Sequence, residues 1–259
     1  MFPRRMIVFP TLTLIVGLAV AIYLGVTSNI AVAQDEEPEF TTDFRLEDCK
    51  FHSKGENPYF LLKPKYQLKL VGVEENDEGE LEEILLVITV LNETEDVGSV
   101  KTRVIEEREW VDGELVEVSR NFFVLCKPTN AVYYFGEDVD IFEDGEVVSH
   151  EGAWQAGKDG SRAGLIMPGT FLLGARYFQE VAPDVAMDRA EHTEMGLNVA
   201  TLAGNFAGCV ELSETTPLVP DEESIKRYCP GVGLVFDNGL ELVDFGVGIF
   251  DVNDTDDSE

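Results

Sequence analysis

Hydrophobic and polar residues alternate with a period of two over much of this chain, as in Tyr66-Gln67-Leu68-Lys69-Leu70. Residues 100–104 and 115–118 show a similar alternation, which puts successive side chains on opposite faces of a strand. Residues 84–91 form an apolar run rich in β-branched side chains, the pattern of a strand buried on both faces. Helical periodicity is weak. The best stretch, residues 186–195, is short and fits a strand edge equally well.

Dipeptides that favour tight turns separate these runs. They are Glu78-Gly79, Asp112-Gly113, Asp144-Gly145 and Asn238-Gly239. About eleven strands in sequence order, joined by short turns, favour an antiparallel meander. The sequence therefore predicts a mainly β protein. We expect a single curled antiparallel sheet, a half-barrel or open barrel with few short helices, over residues 44–250.

The two ends of the chain differ from this central part. Arg4 and Arg5 precede an apolar run, and Ala31-Val32-Ala33 supplies small residues for cleavage. This pattern predicts a signal peptide over 1–33, with an uncleaved membrane anchor as the alternative. Residues 34–43 are predicted to be an acidic, disordered lead, and residues 251–259 an acidic tail.

The charge balance excludes one class of function. The 259 residues include 50 Asp and Glu against 19 Lys and Arg, a net charge of −31. Binding to nucleic acid through phosphate neutralisation needs a basic face, so we expect no nucleic-acid partner. Such a charge suits a protein that stays soluble in concentrated salt, or one whose acids bind divalent cations.

The four cysteines are even in number and widely spaced, which predicts two disulfides in an exported protein. Three connectivities are possible. We favour Cys49–Cys126 and Cys209–Cys229, because the second pair lies on two consecutive predicted strands. The expected location is secreted, periplasmic or cell-surface, and a membrane partner is expected only if the N-terminal segment is uncleaved.

Residues 151–169 interrupt the strand rhythm with five glycines and no predicted strand. Long loops in compact domains are often lids or binding loops. The alternative is a packed surface loop that Trp154 and Met167 anchor.

Several segments resemble an uncharacterised family of exported proteins from environmental microbes, over nearly all of the chain after residue 33. The segments are residues 57–60, 135–140, 149–154, 167–169 and 174–180. Residues 203–206 and 228–233 are similar to exported domains related to the lipoprotein-carrier half-barrel. Asn205 replaces the usual Thr of that pattern, and Cys229 replaces a small residue. The resemblance implies a curled antiparallel sheet with an apolar concave face.

Asp138, Asp140 and Asp144 are the candidate metal ligands. Calcium takes six to eight oxygen ligands, and this acidic run loosely suggests a calcium loop, although Phe142 stands where an EF-hand needs a ligand. On a strand, Asp138 and Asp140 share one face. The alternative is that these acids are ordinary solvated residues of a strand and a turn.

A second polar cluster surrounds Arg176, Gln179 and Arg189, with nearby acids at Glu180, Asp188 and Glu191. Two interpretations are open for it. In one, arginine–carboxylate pairs fix the structure. In the other, the cluster is a polar rim that orients a ligand over an apolar trough, with Trp154, Met167 and Tyr177 as apolar contacts.

No catalytic motif is present, and no residue is predicted to be catalytic. Our first hypothesis is an exported, non-enzymatic protein that binds an apolar or amphiphilic ligand, such as a lipid, or a partner on the concave face of the sheet. The alternative is an acidic cell-surface protein that coordinates calcium. A third hypothesis is a carboxylate-based hydrolase that uses Asp138 and Asp140.

Overall fold

A computed structural model describes residues 39–76 and 79–249 and shows a mainly β protein. One large antiparallel sheet of 16 strands dominates it, and the sheet is not closed into a barrel. This confirms the predicted fold class. A single 3₁₀ turn, Leu46–Asp48, is the helical element of the described chain. The predicted signal peptide, residues 34–38 of the acidic lead, Glu78 of the first turn and the acidic tail lie outside the described residues.

Twenty strands follow one another along the described chain. The first ten are β1 (Phe51–His52), β2 (Gly55–Glu56), β3 (Leu61–Leu62), β4 (Tyr66–Glu75), β5 (Leu81–Val90), β6 (Asp96–Val97), β7 (Val100–Lys101), β8 (Arg103–Val111), β9 (Glu114–Cys126) and β10 (Ala131–Glu143). The others are β11 (Glu146–Ser149), β12 (Trp154–Gln155), β13 (Arg162–Met167), β14 (Arg176–Phe178), β15 (Glu180–Val181), β16 (Arg189–Thr201), β17 (Gly204–Thr216), β18 (Val219–Cys229), β19 (Gly233–Asp237) and β20 (Leu240–Val247).

Sequence neighbours pair in two long meanders, and β20 joins them by pairing with β4. The spatial order is β14-β16-β17-β18-β19-β20-β4-β5-β8-β9-β10-β13-β15. Tight turns join the hairpins, and Asp112, Asp144 and Asn238 have the positive φ expected of their turn dipeptides. Residues 186–195 contribute to β16, so the strand interpretation of that stretch is correct.

The two edges of the sheet approach each other along one short segment. β14 pairs with β16 at one edge of the sheet. Gln179 then connects β14 to β15, which pairs with β13 at the opposite edge. Gly164 of β13 lies so close to this segment that an added Cβ would collide with the backbone carbonyl of Gln179. The sheet is therefore curled until its edges nearly meet.

The main core lies on the inner face of the curled sheet. Leu68 and Leu70 of β4 stand beside Ile88 and Leu86 of β5, and Leu242 of β20 stands beside Leu70 on the other side. These side chains belong to one buried cluster that reaches round to β9, β10 and β16–β19. The period-two alternation predicted this inner row.

A second, smaller core lies on the outer face of β8, β9, β10 and β13. It includes Val104, Phe122 and Tyr133, and Phe44 and Phe51 of the N-terminal segment pack against it. The disulfide Cys49–Cys126 ties this segment to the end of β9, and Cys209–Cys229 links β17 to β18. Both favoured pairings are confirmed.

The two disulfides indicate an oxidising, extracytoplasmic environment. Among residues 39–76 and 79–249, none belongs to a helix long and apolar enough to cross a membrane.

Two segments differ from their predictions. Residues 151–169, expected to lack strands, contain β12 and β13, both paired with β10. The described end of the acidic lead is also ordered, because Thr41 forms a parallel bridge with Tyr177. Backbone hydrogen bonds from Thr41 to Arg176 and from Phe178 to Thr41 fix it there. Pairing with a neighbouring strand orders these segments although their own composition does not.

Candidate functional site

The residues predicted to contact an apolar ligand lie in the main core. Trp154 is 6% exposed and Met167 and Tyr177 are buried. The Trp154 ring packs edge-on against Tyr134 at 5.2 Å between centroids. The Tyr177 hydroxyl lies 2.9 Å from Nε2 of buried His192. Trp154, Met167 and Tyr177 belong to one buried cluster and line neither of the two cavities described below.

The neutral ring of His192 connects Tyr177, Phe171 and Leu172 in this part of the core. Its imidazole stacks on Phe171 at 3.7 Å between centroids, and Nδ1 lies 2.8 Å from the carbonyl oxygen of Leu172. Burial lowers the pKa of His192 to about 4. A neutral ring that donates from Nδ1 and accepts from Tyr177 at Nε2 satisfies both contacts.

The polar residues predicted for a ligand rim have partners within the protein. Arg176 forms a bidentate pair with Glu191, with N–O distances of 2.8 and 2.6 Å. Gln179 Nε2 donates to Glu214 at 2.6 Å. Arg189 donates to Thr215 and lies over the Phe40 ring. These contacts favour the structural interpretation of this cluster over the rim.

A groove of about 530 Å³ lies on the outer face of β8, β9 and β10. We call it the outer groove. Its walls combine charged and apolar side chains: Glu106, Arg108, Val118, Arg120, Asp138, Val139, Asp140, Phe142, His150 and Ala153. The last two belong to the segment between β11 and β12, which borders the groove.

Strand register places the charged residues of the outer groove in two rows. In the first row Glu106 of β8 stands beside Arg120 of β9, and Arg120 stands beside Asp138 of β10. In the second row Val118 stands between Arg108 and Asp140. Alternation of the strands brings all of these side chains to one face.

Glu106 forms ion pairs with both arginines of the outer groove. Its side chain is 5% exposed and lies 2.8 Å from Arg108 Nε and 3.3 Å from a terminal nitrogen of Arg120. A buried carboxylate needs such partners, because desolvation of an unpaired charge is costly. The pairs therefore hold both guanidinium groups at the groove.

Asp138 and Asp140 form the opposite wall of the outer groove. His150 Nδ1 lies 2.9 Å from Asp140 Oδ1 and 2.8 Å from the carbonyl oxygen of Val139. A proton on Nδ1 satisfies both acceptors and leaves Nε2 facing away from them. Asp138 is exposed and has no ion pair within the described chain.

The structure brings two of the three predicted metal ligands together. Asp138 and Asp140 share one face of β10, as predicted, and both line the outer groove, whereas Asp144 lies in the turn between β10 and β11. Within residues 39–76 and 79–249, no three acidic, histidine or cysteine side chains are placed to hold a metal ion.

The inner face of the curled sheet carries a different set of charges. Lys226 of β18 lies 3.1 Å from Glu214 and 3.6 Å from Asp237. Burial lowers the pKa of Lys226, but the charges of Asp237 and Glu214 outweigh that effect and raise it well above its ordinary value. Lys226 is therefore a charged lysine on the inner face of the sheet, and its side chain is 27% exposed.

Three glutamates, Glu107, Glu109 and Glu117, surround a small cavity of about 30 Å³ on this inner face, together with Leu86 and Ser119. We call these three the inner glutamates. Burial, helped by neighbouring carboxylates, raises the pKa of Glu107 and of Glu109 to about 7.

Sequence reasoning missed the outer groove and the inner glutamates. The available signal was the run Glu106-Glu107-Arg108-Glu109 inside a predicted strand. In a strand, adjacent acids point to opposite faces, so one of Glu106 and Glu107 had to be directed inward. Which arginine would reach Glu106 depended on the register with β9.

The chain gives no match to a protein-family model, to a curated protein or to a solved structure. The resemblance to exported families therefore stays a prediction.

Proposed function

We propose that this is an exported binding protein that holds a small polar or amphiphilic ligand in the outer groove. The observation that carries the proposal is the groove itself. Its volume of about 530 Å³ is in the range of small-molecule sites. Such sites combine an apolar wall with a few placed polar groups, and here Val118, Val139 and Phe142 accompany the charged rows.

This proposal moves the expected ligand from the inner to the outer face of the sheet. Trp154, Met167 and Tyr177 pack against their neighbours, which leaves them no surface for a lipid. The cavity described on the inner face is about 30 Å³, close to the space of a single water. The outer groove has the room that a ligand needs.

An exported protein fits the two disulfides, and we propose a secreted, periplasmic or cell-surface location. The sequence pattern of residues 1–33 supports export through a signal peptide.

The test is native mass spectrometry of the secreted protein, in the wild type and in two variants. Ala153→Trp fills the outer groove, whereas Leu202→Trp adds the same side chain at an exposed position between β16 and β17. We expect a bound small molecule in the wild type and in Leu202→Trp, and its loss from Ala153→Trp. Circular dichroism checks that both variants fold.

A second variant covers the case in which Ala153→Trp does not fold. Arg120→Gln removes one groove charge, and Arg162→Gln removes an exposed arginine outside the groove. Loss of the bound species from Arg120→Gln alone supports the proposal. A ligand that every variant retains, a wild type without any bound species, or a mass corresponding only to calcium would contradict it.

A further inference from the structure

The charges of the outer groove are divided between its two sides. Arg108 and Arg120 lie on β8 and β9, where they share the single carboxylate of Glu106. That side therefore keeps one positive charge. Asp138 and Asp140 lie on β10, where Asp140 has the Nδ1 nitrogen of His150 as its partner. That side keeps a negative charge whichever way His150 is protonated.

The positive side has hydrogen-bond donors left for an anion. A guanidinium group carries five N–H donors. Glu106 takes the Nε donor of Arg108, and within the described chain the terminal nitrogens of Arg108 have no acceptor. Arg120 is 49% exposed and lies at 3.3 to 3.4 Å from Glu106. Forked donors of this kind match the two oxygens of a carboxylate.

The negative side has acceptors left for a cation. Asp138 is exposed and forms no ion pair within the described residues. Each ionised carboxylate offers two oxygen acceptors, and an ammonium group offers three donors. The net charge of −31 also favours the approach of a cationic group.

The two sides are separated by a distance that a short molecule can span. Adjacent strands lie about 5 Å apart, so β8 and β10 are about 10 Å apart, and β9 and β10 about 5 Å. Val118 stands between Arg108 and Asp140, and Phe142 also lines the groove. The space between the charges is therefore suited to methylene groups.

We infer that the outer groove binds a zwitterion, with its carboxylate at Arg108 and Arg120 and its ammonium group at Asp138 and Asp140. An aliphatic linker crosses Val118. The inference rests on the proposed function and specifies the chemical class of its ligand.

The test is isothermal titration calorimetry of the wild type with ω-amino acids of increasing chain length. The controls are the carboxylic acid and the primary amine of the same length, each with one charge removed. We expect one chain length to bind best. We also expect each singly charged analogue to bind at least about tenfold more weakly, which corresponds to about 1.4 kcal/mol.

Four variants assign the two ends of the ligand. Arg120→Gln weakens binding of the ω-amino acid and of the carboxylic acid but not of the amine, whereas Arg162→Gln changes none of them. Asp138→Asn weakens binding of the ω-amino acid and of the amine, whereas Asp221→Asn, an exposed control on β18, changes neither. Unchanged binding in Arg120→Gln or Asp138→Asn would overturn the assignment.

The outcome also separates this inference from the proposed function. If no ω-amino acid binds, or if a singly charged analogue binds equally well, the zwitterion inference is wrong. If Ala153→Trp nevertheless removes a co-purified ligand of another class, the binding function stands. If no ligand depends on the groove, both are wrong.

Discussion

The outer and inner faces of β8, β9 and β10 contain the same type of side chain in two different situations. Glu106 and Glu107 are consecutive in β8 and point to opposite faces. Glu106 lies between two arginines on the outer face. Glu107 lies on the inner face, where its positive neighbour is Lys226 and its negative neighbours are Asp237, Glu137 and Glu117.

This difference shows that the cost of burying a carboxylate depends on the charged side chains around it. On the outer face, guanidinium groups replace the water that Glu106 loses on burial. On the inner face, Glu214 and Asp237 already occupy Lys226, so burial raises the pKa of Glu107 and Glu109 to about 7. Glu107 and Glu109 therefore exchange protons near neutrality.

The largest expected loss of stability comes from a change at β12, where neighbouring residues point to the two faces of the sheet. Trp154 packs into the main core, while Ala153 beside it lines the outer groove. We predict that Trp154→Ala lowers the free energy of unfolding by about 3–5 kcal/mol, the usual cost of truncating a buried tryptophan. Urea denaturation measures it, with Leu202→Ala as an exposed control. An unchanged stability combined with faster ligand release would instead identify Trp154 as part of a lid.

The second effect is a dependence of stability on pH. Glu107 and Glu109 have folded-state pKa values of about 7, above the ordinary value of 4.5. The folded protein therefore holds its protons more tightly than the unfolded chain. The contribution of these two carboxyls to stability should be fully present below about pH 4.5, be lost as the pH rises through about 7, and stay absent above it. Each group contributes at most about 3 kcal/mol to this change, because both side chains are partly exposed and solvent reduces the contribution.

Several charged groups face these two carboxyls. They are Lys226, Asp237, Glu137 and Glu117 for Glu107, and Glu117, Glu74 and Asp237 for Glu109. The double variant Glu107→Gln, Glu109→Gln should flatten the decline in melting temperature between pH 4.5 and 7. A decline of the same size as in the wild type would show that other groups cause it.

The third prediction is that neutralising a glutamate changes stability in opposite directions on the two faces. At pH 7.5, Glu106→Gln should destabilise the fold by about 1.5–3 kcal/mol, because two arginines lose a charged hydrogen-bond partner. Glu107→Gln should stabilise it at the same pH, since it removes a carboxylate that is unfavourable when ionised. Thermal unfolding of the two variants in one buffer makes the comparison. If both variants change stability in the same direction, the proposed difference between the two faces is wrong.

The smallest effect concerns an ion pair in solvent. Lys101 and Asp96 form an exposed pair at 2.7 Å. We predict that Lys101→Met changes the free energy of unfolding by less than about 1 kcal/mol, as is usual for exposed pairs. Lys226→Met, by contrast, should cost about 1.5–3 kcal/mol because it leaves two half-buried carboxylates without their counter-charge. Similar losses in both variants would contradict the placement of Lys226 on the inner face.

The sequence was sufficient to predict the curled antiparallel sheet and its turns, because these depend on local patterns. The disulfides could be predicted because Cys209 and Cys229 lie on two consecutive strands, which leaves Cys49 and Cys126 as the other pair. The alternation also predicted correctly that Asp138 and Asp140 share a face. It could not predict the outer groove, since the rows of charge across β8, β9 and β10 depend on the register of three strands.

β-Bulges also change which face a residue occupies. The register of β9 and β10 shifts between Tyr134 and Glu137. These two residues are three positions apart, and strict alternation would put them on opposite faces. Instead the Tyr134 hydroxyl donates to Glu137 at 2.7 Å. The pattern of hydrophobic positions in the sequence does not predict such a register shift.

The most direct test of the difference between the two faces is a pH titration of the glutamate side-chain carboxyl carbons by NMR. Glu107→Gln and Glu109→Gln assign the two signals by their disappearance. We predict that both carboxyls titrate with midpoints near pH 7, as expected for the inner glutamates. Midpoints near 4.5 would show that the interior solvates these carboxylates and would contradict the account.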